Sequence, residues 1–303
     1  MPHIEVRNVS FSYGGRQALK NVTFSVEKGQ IFGLLGPNGG GKTTLFRILC
    51  TLLVPDTGSV RIAGHDPVVR PLEVRRRIGV VFQSNSLDLQ LTSSENLFHQ
   101  GRLYGLTGRP LRRRVESLLE RFGLEDRRRD LVKTLSGGLR RRLELAKGLL
   151  HAPEILILDE PTAGVDPGVR HDFWSYLSRL RRQDGMTILA TTHLMEEAER
   201  CDRLMILNQG RLVAAGTPEA LKSKVGGDVI VVRAPDLEAL RLEIQNRFHC
   251  DPVIFNGTLR LEHRRGHRFL AELLESFPRQ IETVTLGKPT LEDVFIHETG
   301  HRF

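Results

Sequence analysis

Cysteine is scarce in this sequence, with three residues in 303, at Cys50, Cys201 and Cys250. Their spacing matches neither a metal-binding nor a redox motif, so each is interpreted as a small core residue. Long apolar runs are also missing, and no stretch approaches the length of a membrane span. Residues 1–5 lack the pattern of a signal peptide. These absences argue against an integral membrane protein and predict a cytosolic one.

The composition is that of a globular protein with an unusual basic content. Apolar residues make up 40% and charged residues 26%, which suits one large domain or two of ordinary size. The net charge is +8, with 36 Arg against 8 Lys, and arginine triplets occur at residues 75–77, 112–114, 127–129 and 140–142. One interpretation is an anionic partner, either lipid headgroups or nucleic acid. The alternative, a set of solvated helix faces, stays open.

A glycine-rich segment lies between an apolar run at residues 31–35 and a helical pattern. It consists of Gly36, Pro37, Asn38, Gly39, Gly40, Gly41, Lys42, Thr43 and Thr44. Strand, glycine turn and helix start are what a phosphate-binding loop requires, because glycines let backbone N–H groups converge on an anion. The helix dipole adds to the attraction. Lys42 is placed to reach the β- and γ-phosphates of a nucleotide, and the Thr43 hydroxyl to ligate Mg²⁺.

Paired carboxylates follow a second buried-type strand at residues 155–158. Ligands bind at the carboxyl ends of strands in open α/β sheets, which is where Asp159 and Glu160 stand. Asp159 suits the coordination of Mg²⁺, and Glu160 suits the base that orients and polarises water. Gln83 ends another strand predicted at residues 78–83. An amide there can touch both Mg²⁺ and the attacking water, although Gln83 taken alone is an ordinary strand end.

A second anion site of the same physical kind is predicted at the end of a helical, arginine-rich insert. Thr92 and Glu95 form a capping box that starts its first helix. A later helix starts at Ser136, Gly137 and Gly138, whose open N–H groups can bind an anion. Asp166 caps the next helix, which has Pro167 at its first position. His193 follows a buried strand at residues 187–191. A lone histidine there is usually structural, but at the end of a strand parallel to that of the glycine-rich segment it points toward the γ-phosphate.

These segments together resemble the ATP-binding cassette (ABC) ATPases over about residues 2–220. The resemblance implies that Tyr13, in a turn at residues 11–15, stacks on adenine and that residues 36–44 form the P-loop. It makes Gln83 the Q-loop residue, residues 135–139 the family signature, Asp166 the D-loop residue and His193 the switch histidine. Bound ATP and Mg²⁺ follow from the resemblance, with Glu160, His193 and Gln83 as catalytic residues and Thr43, Gln83 and Asp159 as metal ligands.

Two positions depart from the family pattern. Leu139 stands where the signature typically has Gln, which removes one side-chain contact but keeps those of Ser136 and Gly138. Gly40 replaces the usual Ala, and this change is expected to be harmless.

The single cassette implies partners. In the resembling family the signature of one subunit completes the P-loop site of another, so a head-to-tail homodimer binding two ATP molecules is expected. The layout, ending in Leu-Glu-Asp-Val-Phe, looks like the ATPase subunit of an ABC-2-type exporter. A separate permease would then dock on the helical insert beside Gln83, holding the protein on the cytoplasmic face of the membrane.

The pattern changes near Gly226. Residues 229–233, 237–248, 253–261, 269–277 and 281–286 read as strand, helix, Asn-Gly hairpin, helix and strand. That βαββαβ order predicts a ferredoxin-like module, with a last helix starting at Thr290. Its role is either regulation and dimer contact or a scaffold for the cassette. The predicted fold is therefore an α/β P-loop NTPase cassette at residues 1–224, with an antiparallel β subdomain and a helical subdomain at about residues 84–150, and an α+β domain at residues 225–303.

Two other functions compete with this one. Soluble cassette ATPases of DNA repair or translation would suit the basic charge, but they usually carry two cassettes, a coiled-coil insert or zinc-binding cysteines. A regulator that binds nucleotide without hydrolysis conflicts with the intact Glu160 and His193. An exporter ATPase is the favoured function, and nucleic acid is not the expected partner.

Overall fold

A computed structural model describes residues 2–299 of the chain. The strands in this range are β1 (Ile4–Tyr13), β2 (Arg16–Val26), β3 (Ile31–Leu35), β4 (Thr57–Ile62), β5 (Ile78–Val81), β6 (Ile155–Asp159), β7 (Thr187–Thr192), β8 (Arg203–Asn208), β9 (Arg211–Gly216), β10 (Asp228–Arg233), β11 (Val253–Phe255), β12 (Thr258–His263) and β13 (Thr283–Gly287). The helices are α1 (Lys42–Leu49), α2 (Pro71–Arg77), α3 (Ser93–Leu103), α4 (Gly108–Arg121), α5 (Gly137–Gly148), α6 (Pro167–Asp184), α7 (Met195–Ala198), α8 (Pro218–Lys222), α9 (Leu237–Phe248), α10 (Gly266–Ser276) and α11 (Leu291–Thr299).

A six-stranded sheet in the order β5-β6-β7-β3-β8-β9 forms the centre of the cassette. Strands β5, β6, β7, β3 and β8 pair in parallel, and every residue of β3, β6 and β7 is buried, as their apolar sequences predict. The register places Leu35 beside Thr192, and Asp159 beside Thr191. The segments that follow β3, β6 and β7 therefore start at one edge of the sheet.

A second, antiparallel sheet in the order β2-β1-β4 confirms the predicted β subdomain. Its first strand is longer than the alternation indicates, because β1 continues to Tyr13, which pairs with Arg16. The predicted turn at residues 11–15 is thus wrong in extent, and only Gly14 and Gly15 form it. Register irregularities follow Val6 and Val9, and Asn8 between them has a φ of 52°. Such a bulge breaks the period-two pattern and hides the rest of the strand.

The helical insert is present as predicted. It contains α3, α4 and α5, with two short 3₁₀ turns between α4 and α5, and strands are missing from residues 84–150. The capping box is formed, since Thr92 Oγ1 accepts from Glu95 N and Glu95 Oε2 accepts from Thr92 N. Leu111, Val115 and Leu118, spaced along α4, are buried in the core of this part of the chain. Strand β5 ends at Val81, so Gln83 lies two residues beyond the strand rather than at its last position.

Several arginines of the triplets make inward contacts instead of forming a uniform solvated face. Arg114 donates to the carbonyls of Leu149 and Leu150, and Arg141 is buried, whereas Arg77 pairs with Glu73 in a partly exposed contact along α2.

The chain divides into two compact units between Val213 and Ala214. The second unit contains the antiparallel sheet β11-β12-β10-β13, with α9 between β10 and β11 and α10 between β12 and β13. This order is the ferredoxin-like split β-α-β arrangement that the pattern predicts. Asn256 and Gly257, at φ values of 47° and 70°, form the predicted hairpin turn. The predicted domain boundary at residue 224 stays a prediction.

Candidate active site

A cavity of about 1180 Å³ opens at the edge of the central sheet where β3, β6 and β7 end. The residues that line it include many of the predicted ones: Tyr13, Pro37, Asn38, Gly39, Gly41, Lys42, Thr43, Thr44, Gln83, Glu160 and His193. Six further lining residues escaped the sequence patterns: Arg16, Gln17, Ala18, Lys20, Ala163 and Gln209. Four of these six lie at the start of β2, and only the antiparallel pairing with β1 brings them to Tyr13. Tyr13 is 44% exposed and packs edge-on against Phe11.

The glycine-rich loop needs its glycines for close backbone approach. A Cβ atom at Gly36 would lie 2.2 Å from the carbonyl oxygen of Leu207, and Gly41 has a φ of 107°. At Gly40 a Cβ atom would lie 3.0 Å from the same oxygen, which is tight but not overlapping. The Nζ atom of Lys42 donates to the carbonyls of Gly36 at 2.7 Å and Pro37 at 3.1 Å. The lysine is thereby held over the loop at the start of α1.

Three side chains from distant parts of the sequence converge on the carboxylate of Glu160. Lys42 Nζ lies 3.1 Å from Oε1, and Gln83 Nε2 donates to Oε2 at 3.1 Å. His193 Nδ1 lies 3.2 Å from Oε2, in a contact without hydrogen-bond geometry. Glu160 is buried, and its φ of 41° is one that non-glycine residues rarely adopt. Such local strain is typical of functional sites.

The neighbouring Asp159 is buried as well, and its Oδ1 atom accepts a hydrogen bond from Thr191 Oγ1 at 2.6 Å. The same hydroxyl accepts from the backbone N–H of Glu160 at 2.9 Å. Burial raises the pKa of Asp159, and the Glu160 carboxylate raises it further. Asp159 forms no ion pair within residues 2–299, so a divalent cation beside it would supply the positive charge that a buried carboxylate needs. Carboxylate, hydroxyl and amide oxygens are donors that Mg²⁺ takes, so the residue types of Asp159, Thr43 and Gln83 fit this ion. Of the three, Thr43 and Gln83 line the cavity and Asp159 does not, and their role as metal ligands stays a prediction.

A buried carboxylate that the sequence patterns missed supports the segments beside Glu160 and His193. Glu197, 2% exposed on the short helix α7, accepts hydrogen bonds from the hydroxyls of Thr162 and Thr192. Thr192 Oγ1 in turn accepts from Leu194 N at 2.9 Å. The Glu197 carboxylate thus joins the segment that follows Glu160 to the residue that precedes His193. Nothing in the local pattern of α7 distinguishes Glu197 from its exposed neighbour Glu196.

The residues of the predicted second anion site, at the start of α5, lie outside the cavity. Ser136 caps α5 by accepting from Leu139 N at 3.3 Å, as predicted. A Cβ atom at Gly138 would lie 2.9 Å from Val169 Cγ1, so this glycine allows α5 and α6 to approach. Asp166 stands at the N-cap position of α6, and its side chain makes no capping hydrogen bond among the described residues. In the described chain, Ser136, Gly137, Gly138 and Asp166 do not line the cavity.

A parallel sheet with a phosphate-binding loop, and paired carboxylates on the adjoining strand, defines a nucleotide-hydrolysing P-loop protein. The family model described as ABC transporter matches residues 19–163. The Daunorubicin/doxorubicin resistance ATP-binding protein DrrA of Streptomyces peucetius is 39% identical, over 98% of this chain and 92% of that protein. A Nod factor export ATP-binding protein I of Paraburkholderia xenovorans is 46% identical, over 98% and 97%. The Linearmycin resistance ATP-binding protein LnrL of Bacillus subtilis is 35% identical, over 98% of each chain.

Solved structures give the same result. CbiO1 from Clostridium perfringens, part of the ABC transporter complex CbiONQ, matches with a TM-score of 0.69 and 27% identity, over 82% of this chain and 96% of that one. A dimeric ATP-binding cassette in a post-hydrolysis state, bound to ADP and Pi, matches with a TM-score of 0.63 and 28% identity, over 71% and 98%. The chain belongs to the ABC transporter family. It is an ATPase subunit of the exporter type, as the sequence predicts.

Proposed function

We propose that this chain hydrolyses ATP at the cavity beside Glu160 and uses the energy to drive a membrane exporter. The convergence of Lys42, Gln83 and His193 on the Glu160 carboxylate carries this proposal. Lys42 and backbone N–H groups of residues 38–44 bind the β- and γ-phosphates, and Tyr13 stacks on the adenine. Glu160 accepts a proton from the attacking water, which Gln83 orients. His193 donates a hydrogen bond to the γ-phosphate.

Thr43, Gln83 and Asp159 would hold the Mg²⁺ that accompanies ATP. The ion supplies Lewis-acid neutralisation of the phosphate oxygens. Side chains of this chain position the two carboxylates. The Thr191 hydroxyl donates to Asp159 Oδ1 and accepts from the backbone N–H of Glu160, so one group orients both carboxylate residues.

A second copy of the chain completes the site. Ser136, Gly137, Gly138 and Asp166 lie outside the cavity of their own chain, while the open N-terminus of α5 suits an anion. The head-to-tail arrangement places these residues against the γ-phosphate held by the partner's P-loop. The dimeric cassette bound to ADP and Pi, to which this chain is similar, supports this assembly.

A groove on the helical insert offers a surface for the permease. It has a volume of about 340 Å³ and is lined by Ser86, Asp88, Leu91, Asn96, His99, Gln100, Leu103 and Lys147. Leu103 is 82% exposed and could offer an apolar contact to a docked partner. Across residues 2–299, no helix has the length and apolar character needed to cross the bilayer. We place the chain at the cytoplasmic face of the membrane, bound to a separate permease, and its similarity to ATP-binding proteins named for export supports this location.

The permease, rather than this chain, selects the exported compound. Relatives are named for daunorubicin and doxorubicin resistance, linearmycin resistance and Nod factor export. These names support an organic molecule as cargo and give no support to nucleic acid as the partner.

Co-expression with a candidate permease, such as a membrane protein found to be encoded by a neighbouring gene, tests the proposal. The wild-type chain should sediment with membranes only when that protein is present, and its ATPase activity should be detected there. Leu103→Arg should leave most of the chain in the supernatant while keeping its solution ATPase. Leu242→Arg is the matched control, because Leu242 is an exposed leucine, at 51%, in the second unit. Equal sedimentation of all three chains, or sedimentation without the membrane protein, would contradict the proposed docking.

A further inference from the structure

A buried ion pair on α5 contacts the segments that contain Gln83 and Glu160. Arg141 and Glu144 are 8% and 4% exposed, and the guanidinium Nη1 contacts Glu144 Oε2. The spacing of three residues places both side chains on one face of the helix. Burying two charges requires close partners, and the pair has several.

Arg141 donates to two backbone carbonyls that flank the active site in sequence. Its Nη1 atom donates to the carbonyl of Phe82 at 3.0 Å, and its Nε atom donates to the carbonyl of Pro161. Phe82 directly precedes Gln83, and Pro161 directly follows Glu160. One planar guanidinium therefore joins the two segments whose side chains meet in the Gln83–Glu160 hydrogen bond.

Glu144 extends the same connection to the groove on the helical insert. Its Oε1 atom accepts from the backbone N–H of Ser86 at 2.8 Å, and Lys147, one turn further along α5, donates to the Ser86 carbonyl. Ser86 lines the groove. The segment from Phe82 to Ser86 is thus fastened to α5 at both of its ends, with Gln83 between them.

We propose that Arg141 and Glu144 are positioning residues for hydrolysis, which tie the Q-loop and the end of β6 to α5 and so hold Gln83 against Glu160. The inference rests on the proposed function, since it assumes that Glu160 is the base and that Gln83 orients the water. A displacement of about 1 Å in a catalytic group can lower the rate about 100-fold, so an anchor of this kind controls turnover. The pair also connects the groove to Gln83, so a permease bound at Ser86 acts on hydrolysis through the same contacts.

The test separates positioning from stability by removing both charges together. Arg141→Met alone leaves Glu144 buried without a cation, so it should lower the urea midpoint. Arg141→Met with Glu144→Leu replaces the pair by apolar groups of similar size and removes the unpaired charge, so its midpoint should lie above that of Arg141→Met. The carbonyls of Phe82 and Pro161 and the N–H of Ser86 still lose a partner, which keeps the midpoint below that of the wild type. The double variant should bind a fluorescent ATP analogue with a Kd within about threefold of the wild type, yet its kcat should fall about 10- to 100-fold. Arg141→Lys, which keeps the charge but loses the fork, should have an intermediate kcat.

Arg114→Met is the matched control. Arg114 also donates to two backbone carbonyls, those of Leu149 and Leu150, and neither carbonyl flanks the active site. Its loss should leave the kcat of folded protein unchanged. A folded double variant with wild-type kcat would overturn the inference, and so would an Arg141→Lys kcat equal to the wild type. Failure of the proposed function looks different: Glu160→Gln would then hydrolyse ATP as fast as the wild type.

Discussion

Lys42 Nζ lies 3.1 Å from Glu160 Oε1, and the two side chains are 4% and 9% exposed. The lysine of the P-loop and the proposed base therefore neutralise each other inside the cavity. A nucleotide phosphate that binds Lys42 competes with a carboxylate for the same ammonium group. Changes to this contact should therefore affect the stability of the protein, its affinity for nucleotide and its catalytic rate together.

Glu160→Gln should separate affinity from turnover. Without the carboxylate, hydrolysis of MgATP should fall by roughly 10²–10⁴-fold, the range of a positioned general base. The neutral amide no longer competes for Lys42, so Kd for the nucleotide should decrease by roughly tenfold, which corresponds to about 1.4 kcal/mol. Steady-state phosphate release and titration with a fluorescent nucleotide measure the two effects. Wild-type turnover in the purified variant would refute the assignment of Glu160.

Lys42→Ala should impair both binding and folding. The Glu160 carboxylate would remain buried without its cation, at a cost of about 2 kcal/mol in the free energy of unfolding. Adding Glu160→Gln should restore most of that stability, because the unpaired charge is gone, while nucleotide binding stays lost. Urea denaturation of the two single variants and the double variant gives the coupling. Independent, additive effects would show that the 3.1 Å contact contributes nothing.

Dimerisation should depend on nucleotide. In Glu160→Gln the stalled site should accumulate a MgATP-bound dimer, because in the proposed head-to-tail assembly Ser136 and the glycines after it contact the partner's γ-phosphate. Without nucleotide, two chains of net charge +8 should repel weakly and stay mostly monomeric. Light scattering after size exclusion measures the mass. Adding Ser136→Arg should block the shift by placing a long cation in the phosphate site. A dimer that ignores both nucleotide and Ser136→Arg would contradict the head-to-tail model.

The signature position Leu139 should tolerate glutamine. Leu139 is half-buried against the core of the cassette, so Leu139→Gln should cost about 1 kcal/mol of stability. ATPase activity should stay within about threefold of the wild type, because the Ser136 hydroxyl and the helix N-terminus are unchanged. Thermal unfolding and phosphate release check the two statements. A large gain of activity would instead mean that leucine partly disables this signature.

His151 should make the cassette sensitive to acid. Its ring stacks on Tyr104 at 3.8 Å and its Nε2 atom contacts the carbonyl of Ile78 at 2.9 Å. Burial lowers the pKa of His151 below its usual value, and Arg114 lowers it further. The contribution to stability is complete above the unfolded pKa of about 6.5 and is lost as the pH falls through the lower folded value. The urea midpoint of His151→Gln should therefore fall less between pH 7.5 and pH 5 than that of the wild type. An equal fall in both proteins would show that His151 does not cause the acid sensitivity.

Local sequence determined much of this protein. The strand, glycine turn and helix start around Lys42, the carboxylates after β6, the Thr92 capping box and the Asn256-Gly257 hairpin depend on residues close together in the chain. Backbone geometry and short-range hydrogen bonds restrict such segments to few conformations, so their patterns predict both fold and function.

Tertiary packing decided the contacts that join these segments. Arg141 reaches carbonyls 20 and 59 residues away, and Glu197 receives the hydroxyl of Thr162 from 35 residues away. A buried charge takes whatever partners the packing places beside it, and sequence spacing carries no record of them. Pairing with β2 likewise continues β1 past the bulge at Asn8 to Tyr13, although the bulge interrupts the alternating pattern from which the strand is predicted. The sequence patterns predict the candidate catalytic residues, whereas Arg141 and Glu197, which contact the segments around them, are identified only from the tertiary structure.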